Sequence, residues 1–559
     1  MKKISLIIAG ASLLAFTSCI EEYQPENSFV TMNQADKAPG TYENFVNAII
    51  SNLTGKPVFD DTSANNFGYS SLYLRRDAMG MDMVAYGGSH QWFNTSYTCG
   101  SGLAPTSSYC QYPWRFYYRQ VKACNTVISK AGENPAEDRI EGAGIAYCMR
   151  AYYYLELAQS YAQKPYAMDK TTPTVPIVSS DVTEIETGTD LSNPRASYED
   201  VMKFILSDLD KAEKYLANYK RPDKYHPDLS VVNGTRARAY LVMEDWANAE
   251  KYAKLAREGY TMLTSEQYID RDHGFNDCTF GNSWMFSCLF KPDDSTIINN
   301  DSDSTWGSWM ICELPGGATG VGYYNTYGPA LLFDRHLYET LPATDVRKKC
   351  FIDFSLDNYN TTTEKDKIIK ALEAYSDVPE LVYSTGLGTT QFGGMSLKFR
   401  SKNGNHTSAQ AGYCVDVPMM RVEEMYLIEA EAAGMQNLSR GIQLLTDFAK
   451  QRDPNYVYGT HNEAYGNSST PEFRNEIWWQ RRVEFWGEGL ATFDIKRLYK
   501  GIIRNYPGTN HLDGYKWNTT TPPDWMNYCI VQTESNYNPG IVNNPTPVAP
   551  TGDSPEHVF

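Results

Sequence analysis

The sequence has few histidines and lacks the compact motifs that mark common catalytic sites. Eight histidines occur in 559 residues, none in an HExxH or paired spacing, which argues against a zinc site. There is no CxxC, no GxSxG nucleophile elbow and no GxxxxGK(S/T) phosphate loop. There is also no basic cluster, and a formal charge of −17 repels nucleic acid. These absences argue against nucleic-acid binding and favour a protein with no cofactor and no enzymatic activity.

Two stretches resemble ligand-binding loops but lack residues that such loops need. Asp301–Thr305 resembles the first half of a calcium loop, but Trp306 stands where that loop needs glycine and Cys312 where it needs glutamate. Gly316–Gly322 is rich in glycine but has no lysine after it to bind phosphate. We interpret the first as a solvated turn, with a nonstandard calcium site as the alternative, and the second as a flexible loop.

Tyrosine, by contrast, is abundant. The chain has 41 tyrosines and 11 tryptophans, which suit recognition surfaces as well as helix packing. Hydrophobic residues make up 42% and charged residues 21%, as in an ordinary folded protein. The length favours several domains or a repeat scaffold.

The first residues predict export and lipid anchoring. Lys2 and Lys3 precede an apolar run over residues 4–16 that is too short for a membrane span. The run ends in LAFTSC, which resembles a bacterial lipobox with Cys19 as the lipidated residue, and the next three residues resemble a Bacteroidetes surface-export signal. We predict a signal peptide at 1–18, a lipidated tether at 19–40 and a folded domain at 41–559. A plain secreted protein is the alternative.

Ten further cysteines permit disulfides without requiring them. No spacing fixes their pairing. The nearest local candidates are Cys99 with Cys110 and Cys278 with Cys288, and free buried thiols are the alternative.

Apolar residues recur at helical spacing along most of the chain. The pattern begins at Thr41 and predicts helices over 114–131 and 145–161, which pair as a hairpin. The same spacing predicts two more helical hairpins, one pairing residues 197–219 with 234–256 and the other pairing 419–434 with 439–452. Residues 62–110 and about 270–400 have the composition of loops, and long loops on a rigid frame usually carry function.

One segment resembles a tetratricopeptide repeat. In RARAYLVMEDWANAEKYAKLAREGY, Tyr240, Ala249 and Ala256 occupy the positions of the repeat's tyrosine and packing alanines. Ala237 stands at the usual glycine and Ala253 at the usual phenylalanine. We therefore predict an all-α fold: a tetratricopeptide-like scaffold of helical hairpins with a long loop-rich ligand-binding side, inserted at about 270–400.

The stretch RNEIWWQRRVEFWGEGLATFDIKRL resembles the C-terminal signature of the SusD/RagB family. The matching positions are Arg481, Arg482, Glu484, Phe485, Glu488, Gly489, Phe493, Asp494 and Arg497. Gln480 and Ala491-Thr492 depart from the family's usual glutamate and His-Arg pair. The segments MRAYYYLELAQSYAQKPYAM and MMRVEEMYLIEAEA resemble two further family helices, so the resemblance spans most of the mature chain.

This resemblance implies a function and a location. Family members are lipid-anchored proteins of the outer-membrane surface that cap a SusC-like TonB-dependent transporter and capture glycans, or sometimes peptides, without catalysis. Peptide binding is therefore one alternative. A surface glycoside hydrolase is a lesser one, because the carboxylate separation of about 5–10 Å that it needs cannot be seen in one sequence.

The signature itself is predicted to be structural. On a helix, Arg481, Phe485 and Glu488 share one face, and arginines paired with glutamates under aromatic rings make a rigid internal brace. In the family, the signature belongs to the scaffold and not to the ligand site.

The ligand site is predicted in the aromatic loops. A sugar presents an apolar face and a rim of hydroxyls, which suits flat rings beside amides. Trp92 lies among Gly, Ser, His, Gln and Asn without helical period and is the predicted main platform. The candidate ligand residues are Tyr86, His90, Trp92, Asn94, Trp306, Trp309, Tyr323 and Tyr324.

Overall fold

The computed structural model describes residues 40–55, 66–85, 91–99, 101–179, 192–298, 305–315, 331–387, 391–407 and 412–559. The predicted signal peptide, the tether with Cys19, the calcium-like residues 301–304 and the glycine-rich loop lie outside these ranges. Within them, no helix combines the length and the apolar character needed to cross a membrane.

The described chain is mainly helical. The α-helices are α1 (Thr41–Ser51), α2 (Ser70–Met79), α3 (Gln91–Thr98), α4 (Ser108–Ala131), α5 (Ile140–Tyr161), α6 (Tyr198–Leu216), α7 (Leu229–Met243), α8 (Trp246–Ala256), α9 (Ser265–Tyr268), α10 (Ser295–Ile298), α11 (Trp306–Met310), α12 (Arg335–Thr340), α13 (Lys365–Leu372), α14 (Pro379–Leu387), α15 (Val422–Gln436), α16 (Leu438–Ala449), α17 (Glu472–Glu484), α18 (Ala491–Arg497) and α19 (Gln532–Tyr537). Short 3-10 helices lie at Ser101–Leu103, Glu137–Arg139, Val346–Cys350, Phe354–Asn358, Lys402–Gly404 and Asp524–Met526. The strands are β1 (Met83–Ala85), β2 (Trp284–Leu289), β3 (Leu331–Phe333) and β4 (Asp416–Arg421).

The long helices pack in sequence and form the scaffold. α4 packs on α5, α5 on α6, α6 on α7 and α7 on α8. α8 then packs directly on α15, which also contacts α16 and α17. The chain between α8 and α15, which contains the predicted insertion, therefore leaves and rejoins the scaffold at neighbouring helices. The predicted all-α, tetratricopeptide-like fold is confirmed.

Polar caps begin two of these helices. Ser107 accepts a hydrogen bond from the backbone N–H of Tyr109 at 3.0 Å and starts α4, ahead of the predicted position 114. Ser197 accepts from the N–H of Asp200 at 3.1 Å and starts α6, where the sequence predicted it.

The repeat-like segment is a tight helical hairpin. Residues 234–256, predicted as one arm of a hairpin, belong to two helices, because the chain turns at Glu244 (φ 56°) and restarts at the cap Asp245. Ala249, Ala253 and Ala256 are fully buried. Their small side chains let α7 and α8 approach closely, as the repeat pattern predicts.

The described residues between 62 and 110 do not form one long loop, and the loop prediction is wrong there. They contain α2 and α3, and every residue of α2 is buried. A helix buried on all sides has no amphipathic period for a sequence to reveal. Its two arginines lie inside the protein: Arg75 lies over the rings of Tyr109 and Tyr112, at 4.9 and 4.3 Å, and Arg76 Nε donates to the Gly489 carbonyl at 2.8 Å.

Two short antiparallel ladders join distant segments. β1 pairs with β3, with Ala85 opposite Leu331, and β2 pairs with β4, with Leu289 opposite Asp416. The first ladder connects the region of α2 and α3 to the insertion.

The ten cysteines in the described ranges are all free thiols, which is one of the two alternatives that the sequence left open. Cys110 Sγ donates to the Leu103 carbonyl at 3.0 Å instead of bonding to Cys99. Burial raises the pKa of Cys99 and Cys110 to about 12, because a thiolate would lack solvent. These cysteines pack as small apolar side chains.

The family-like signature contributes to a buried charge network. Its members are Arg347, Lys398, Arg421, Glu423, Arg452, Glu484 and Glu488. Glu484, at the centre, lies 3.0 Å from Arg452 Nε and 3.2 Å from Arg421 Nη1, and all three are fully buried. The predicted burial and pairing of the signature's charged side chains is confirmed.

The pairing partners differ from the predicted helix face. α17 ends at Glu484, and Gly487 and Gly489 (φ 78° and 75°) turn the chain back. Glu488 is thereby brought to Arg421 and Lys398, at 2.8 and 2.5 Å. Arg481 pairs instead with Asp494 at 2.7 Å.

Candidate functional site

Four buried rings form a cluster, which we name the aromatic floor: Phe67, Phe93, Phe290 and Trp309. The rings of Phe67 and Phe93 lie 6.2 Å apart, and Phe67 lies 6.5 Å from Phe290. Phe93 meets Trp309 edge to face at 4.6 Å and 89°. All four side chains are 0% exposed, so the cluster is a rigid support and not itself a ligand surface.

Two helices of the aromatic floor flank the chain segments in which ligand residues were predicted. Phe93 follows residues 86–90 on α3, and Trp309 on α11 lies between residues 299–304 and 316–330. The β1–β3 ladder adds a second junction, since Ala85 precedes residues 86–90 and its partner Leu331 follows residues 316–330. The sequence alone did not show that these flanking residues lie close together.

Trp306 and Trp309 are not exposed as the predicted ligand contacts would need to be. Both side chains are 0% exposed. α11 begins with a capping box between Thr305 and Ser308, and its two indoles are packed in the core. Trp306 meets the ring of Phe399 edge-on at 5.2 Å. These tryptophans hold α11 on the protein.

Trp92 and Asn94 lie on α3, a helix where a loop was predicted. Asn94 is half-buried and the structure describes the backbone of Trp92 but not its side chain. Tyr86, His90, Tyr323 and Tyr324 lie outside the described residues.

The inner face of α3 is held firmly. Phe93 joins the aromatic floor, and the Tyr97 hydroxyl lies 2.8 Å from His511 Nδ1, with the two rings stacked at 5.7 Å. On the same helix, Ser96 Oγ lies 2.6 Å from the Tyr109 hydroxyl. A ligand platform on α3 would therefore be pre-organised, which lowers the entropy lost on binding.

A cavity of about 340 Å³ lies beside the aromatic floor. Leu289 and Lys291, which flank Phe290, line it together with Ile50 from α1 and a turn at residues 223–226. Its volume is in the range of small-ligand sites, and its wall combines apolar side chains with a polar rim.

The polar rim contains functional candidates that the sequence did not reveal. His226 Nδ1 lies 2.7 Å from Asp223 Oδ1, and the Tyr225 hydroxyl donates to Asp416 at 3.0 Å. Burial raises the pKa of Asp294 on the same rim. Asp223, Tyr225 and His226 share one turn, whereas Asp294 and Asp416 come from distant parts of the chain. Across the described ranges, no group of three or more His, Cys, Asp or Glu side chains is placed to hold a metal ion.

Two family models match the chain over separate stretches. SusD-like_3, described as "Starch-binding associating with outer membrane", matches residues 46–241, and SusD_RagB, described as "SusD family", matches residues 336–546. The protein belongs to the SusD/RagB family. Of the aromatic floor, Phe67 and Phe93 lie within the first match, whereas Phe290 and Trp309 lie between the two.

Individual relatives agree with this SusD/RagB assignment. A SusD-like protein of Formosa agariphila is 24% identical over 454 residues, 77% of this chain and 80% of the relative. A SusD-like carbohydrate binding protein from Bacteroides vulgatus matches the fold with a TM-score of 0.66 at 22% identity, covering 90% of this chain and 97% of that one. Surface glycan-binding protein A from Bacteroides fluxus matches with a TM-score of 0.60 at 16% identity, covering 91% and 99%. At these identities the structural matches show the fold alone.

Proposed function

We propose that this SusD/RagB protein binds glycan at the bacterial surface and passes it to a SusC-like TonB-dependent transporter. The observation that supports this most is the position of α3, which meets α11 through Phe93 and Trp309 and also packs against β1 of the β1–β3 ladder. It gives the predicted ligand segments a common, rigid base. The names of the Bacteroides vulgatus and Bacteroides fluxus neighbours agree with glycan as the ligand class.

Within this proposal, Trp92 is the stacking platform and Asn94 a polar partner from the same helix. An indole offers a flat apolar face to a sugar ring, and an amide both donates to and accepts from hydroxyls. Tyr86, His90, Tyr323 and Tyr324 are proposed as further contacts. Trp306 and Trp309 are left out because they are buried.

The protein is further proposed to be anchored through an acylated Cys19 in the outer membrane. Residues 19–39 reach at most roughly 70 Å when extended, since each residue spans about 3.3 Å. Such a tether lets the folded domain lie over a transporter in the same membrane. We propose that the protein has no catalytic role and needs no cofactor.

Native affinity electrophoresis with starch, glycogen, laminarin, xylan and pectin in the gel tests the glycan proposal. We expect at least one polysaccharide to retard the protein, and Trp92→Ala to lose about thirtyfold or more in affinity, or about 2 kcal/mol, as for a ring that anchors a ligand. Trp246→Ala is the matched control, because Trp246 is a half-buried tryptophan on α8, outside the aromatic floor.

Two results would contradict the proposal. Retardation of Trp92→Ala equal to that of the wild type would remove Trp92 from the site. Binding of a casein peptide digest in calorimetry, with no retardation by any polysaccharide, would show that the ligand is peptide.

A further inference from the structure

A second cavity, of about 460 Å³, lies between α12, the 3-10 helix Phe354–Asn358 and the turn at residues 508–510. We name it the Arg335 cavity after the side chain at its edge. It shares no lining residue with the aromatic floor or with the cavity beside it. It is therefore a separate site, and its volume is in the range of small-ligand pockets.

Hydrogen bonds fix the walls of the Arg335 cavity. Asn510 accepts from the backbone N–H of Arg335 at 2.9 Å and donates to the Phe333 carbonyl at 3.0 Å, which ties the 508–510 turn to α12. The Tyr338 hydroxyl donates to Asp353 at 2.7 Å. The cavity is thus pre-formed and does not depend on a ligand to shape it.

Two carboxylates supply fixed hydrogen-bond acceptors. Asp357 Oδ1 accepts from the backbone N–H groups of Phe392 and Gly393, at 2.6 and 3.0 Å. Asp353 accepts from the N–H of Ser355 at 2.8 Å as well as from Tyr338. A carboxylate has about four lone-pair positions, so each can accept a further hydrogen bond from a ligand.

The two cations on the wall already have hydrogen-bond partners. Arg335 Nε lies 2.7 Å from Glu339 Oε1, and Lys348 Nζ donates to the Leu341 carbonyl at 2.7 Å. With three carboxylates facing two cations, the cavity does not favour a phosphate or a carboxylate ligand. Nor do these carboxylates form a metal-binding group within the described residues.

We propose that the Arg335 cavity binds one neutral sugar unit through hydrogen bonds, independently of Trp92. A sugar hydroxyl donates and accepts, so it can donate to Asp353 or Asp357 and accept from the N–H groups that Arg335 does not use for Glu339. The cavity offers little ring surface for stacking, since Tyr338 is 5% and Phe354 8% exposed. It therefore suits a free mono- or disaccharide or a chain end, whereas a stacking platform suits the interior of a chain.

Titration calorimetry and saturation-transfer NMR test this proposal with glucose, galactose, mannose, N-acetylglucosamine, maltose and lactose as probes. Ser355→Trp fills the cavity, because Ser355 is exposed and lines it. Ser384→Trp, on the exposed side of α14, introduces the same ring away from the cavity and is the matched control. We expect one of these sugars to bind the wild type, and Ser355→Trp and Arg335→Ala each to weaken that binding about tenfold or more. Ser384→Trp should bind it like the wild type.

Three outcomes would overturn the proposal. The first is that none of the sugars binds the wild type. The second is that Ser355→Trp binds sugar as well as Ser384→Trp does. The third is that glycylglycine binds in the cavity and no sugar does, which would assign the cavity to a zwitterionic ligand. The two proposals can fail separately, because polysaccharide retardation is tested with Trp92→Ala and sugar binding in the Arg335 cavity is tested with Ser355→Trp against Ser384→Trp.

Discussion

Replacing Glu484 with glutamine would remove one negative charge from the centre of the buried network and keep the shape of the side chain. Glu484 is fully buried, and its carboxylate lies 3.0 Å from Arg452 Nε and 3.2 Å from Arg421 Nη1. Arg347 adds a third guanidinium at 3.6 Å. Breaking a buried pair in this way costs about 3–5 kcal/mol, because the remaining charges lose their partner without gaining water.

The expected change in melting temperature follows from the size of the domain. An unfolding entropy of about 2.1 cal/mol/K per residue gives about 1.1 kcal/mol/K for roughly 520 residues. A loss of 3–5 kcal/mol therefore lowers Tm by about 3–5 °C if the domain unfolds as one unit. Differential scanning calorimetry at neutral pH measures this shift. Glu373→Gln is the matched control, since Glu373 pairs with Lys370 at the surface and should change Tm by less than about 1 °C.

The decrease in stability at acidic pH gives a second measure of the same network. Burial opposes ionisation of Glu484, but Arg452, Arg421 and Arg347 outweigh burial and lower its pKa from 4.5 to about 2. A carboxylate with a lowered folded pKa stabilises the protein above its unfolded pKa, and this stability is lost as the pH falls from about 4.5 towards 2.

Glu484→Gln should therefore flatten part of the decline in Tm between pH 4.5 and 3. A variant that melts within 1 °C of the wild type and shows the same acid decline would refute the claim that Glu484 stabilises the fold through its charge.

The helical scaffold was predictable because its signals are local. The apolar period of α4 and α5 and the small residues at Ala249 and Ala256 each specify helix packing within one or two turns. α2 was not predictable, since a helix buried on every side carries Arg75 and Arg76 inside and shows no polar face. The end of α17 at Glu484 was missed because the predicted face assumed that the helix continued to Glu488, past Gly487 at positive φ.

Two candidate residues of the site were placed wrongly from the sequence. Trp306 and Trp309 sit in a stretch whose glycine and serine content indicates a loop, and composition cannot tell an indole that anchors a loop from one that faces a ligand. The lining of the Arg335 cavity was out of reach for a different reason. Asp357 and Asn510 are brought to one wall by tertiary contacts alone, and neither lies in a motif.

Two further predictions concern the anchor and a buried lysine. Cys19→Ser should move the protein from the membrane fraction to the soluble fraction on cell fractionation, and an unchanged membrane fraction would contradict acylation at Cys19. Lys496→Met should reduce the pH dependence of stability above neutrality. Lys496 is buried, its Nζ donates to the Gln159 carbonyl, and burial lowers its pKa from 10.5 to about 7. The unfolded chain then binds more protons between pH 7 and 10.5, so stability rises with pH there, by up to about 1.4 kcal/mol per pH unit for one such group. Burial likewise lowers the pKa of Lys500 to about 7, so Lys496 accounts for only part of this pH dependence. We therefore expect Lys496→Met to remove part of the rise in the urea midpoint between pH 7 and 9. An unchanged rise would show that Lys496 is charged in the folded protein.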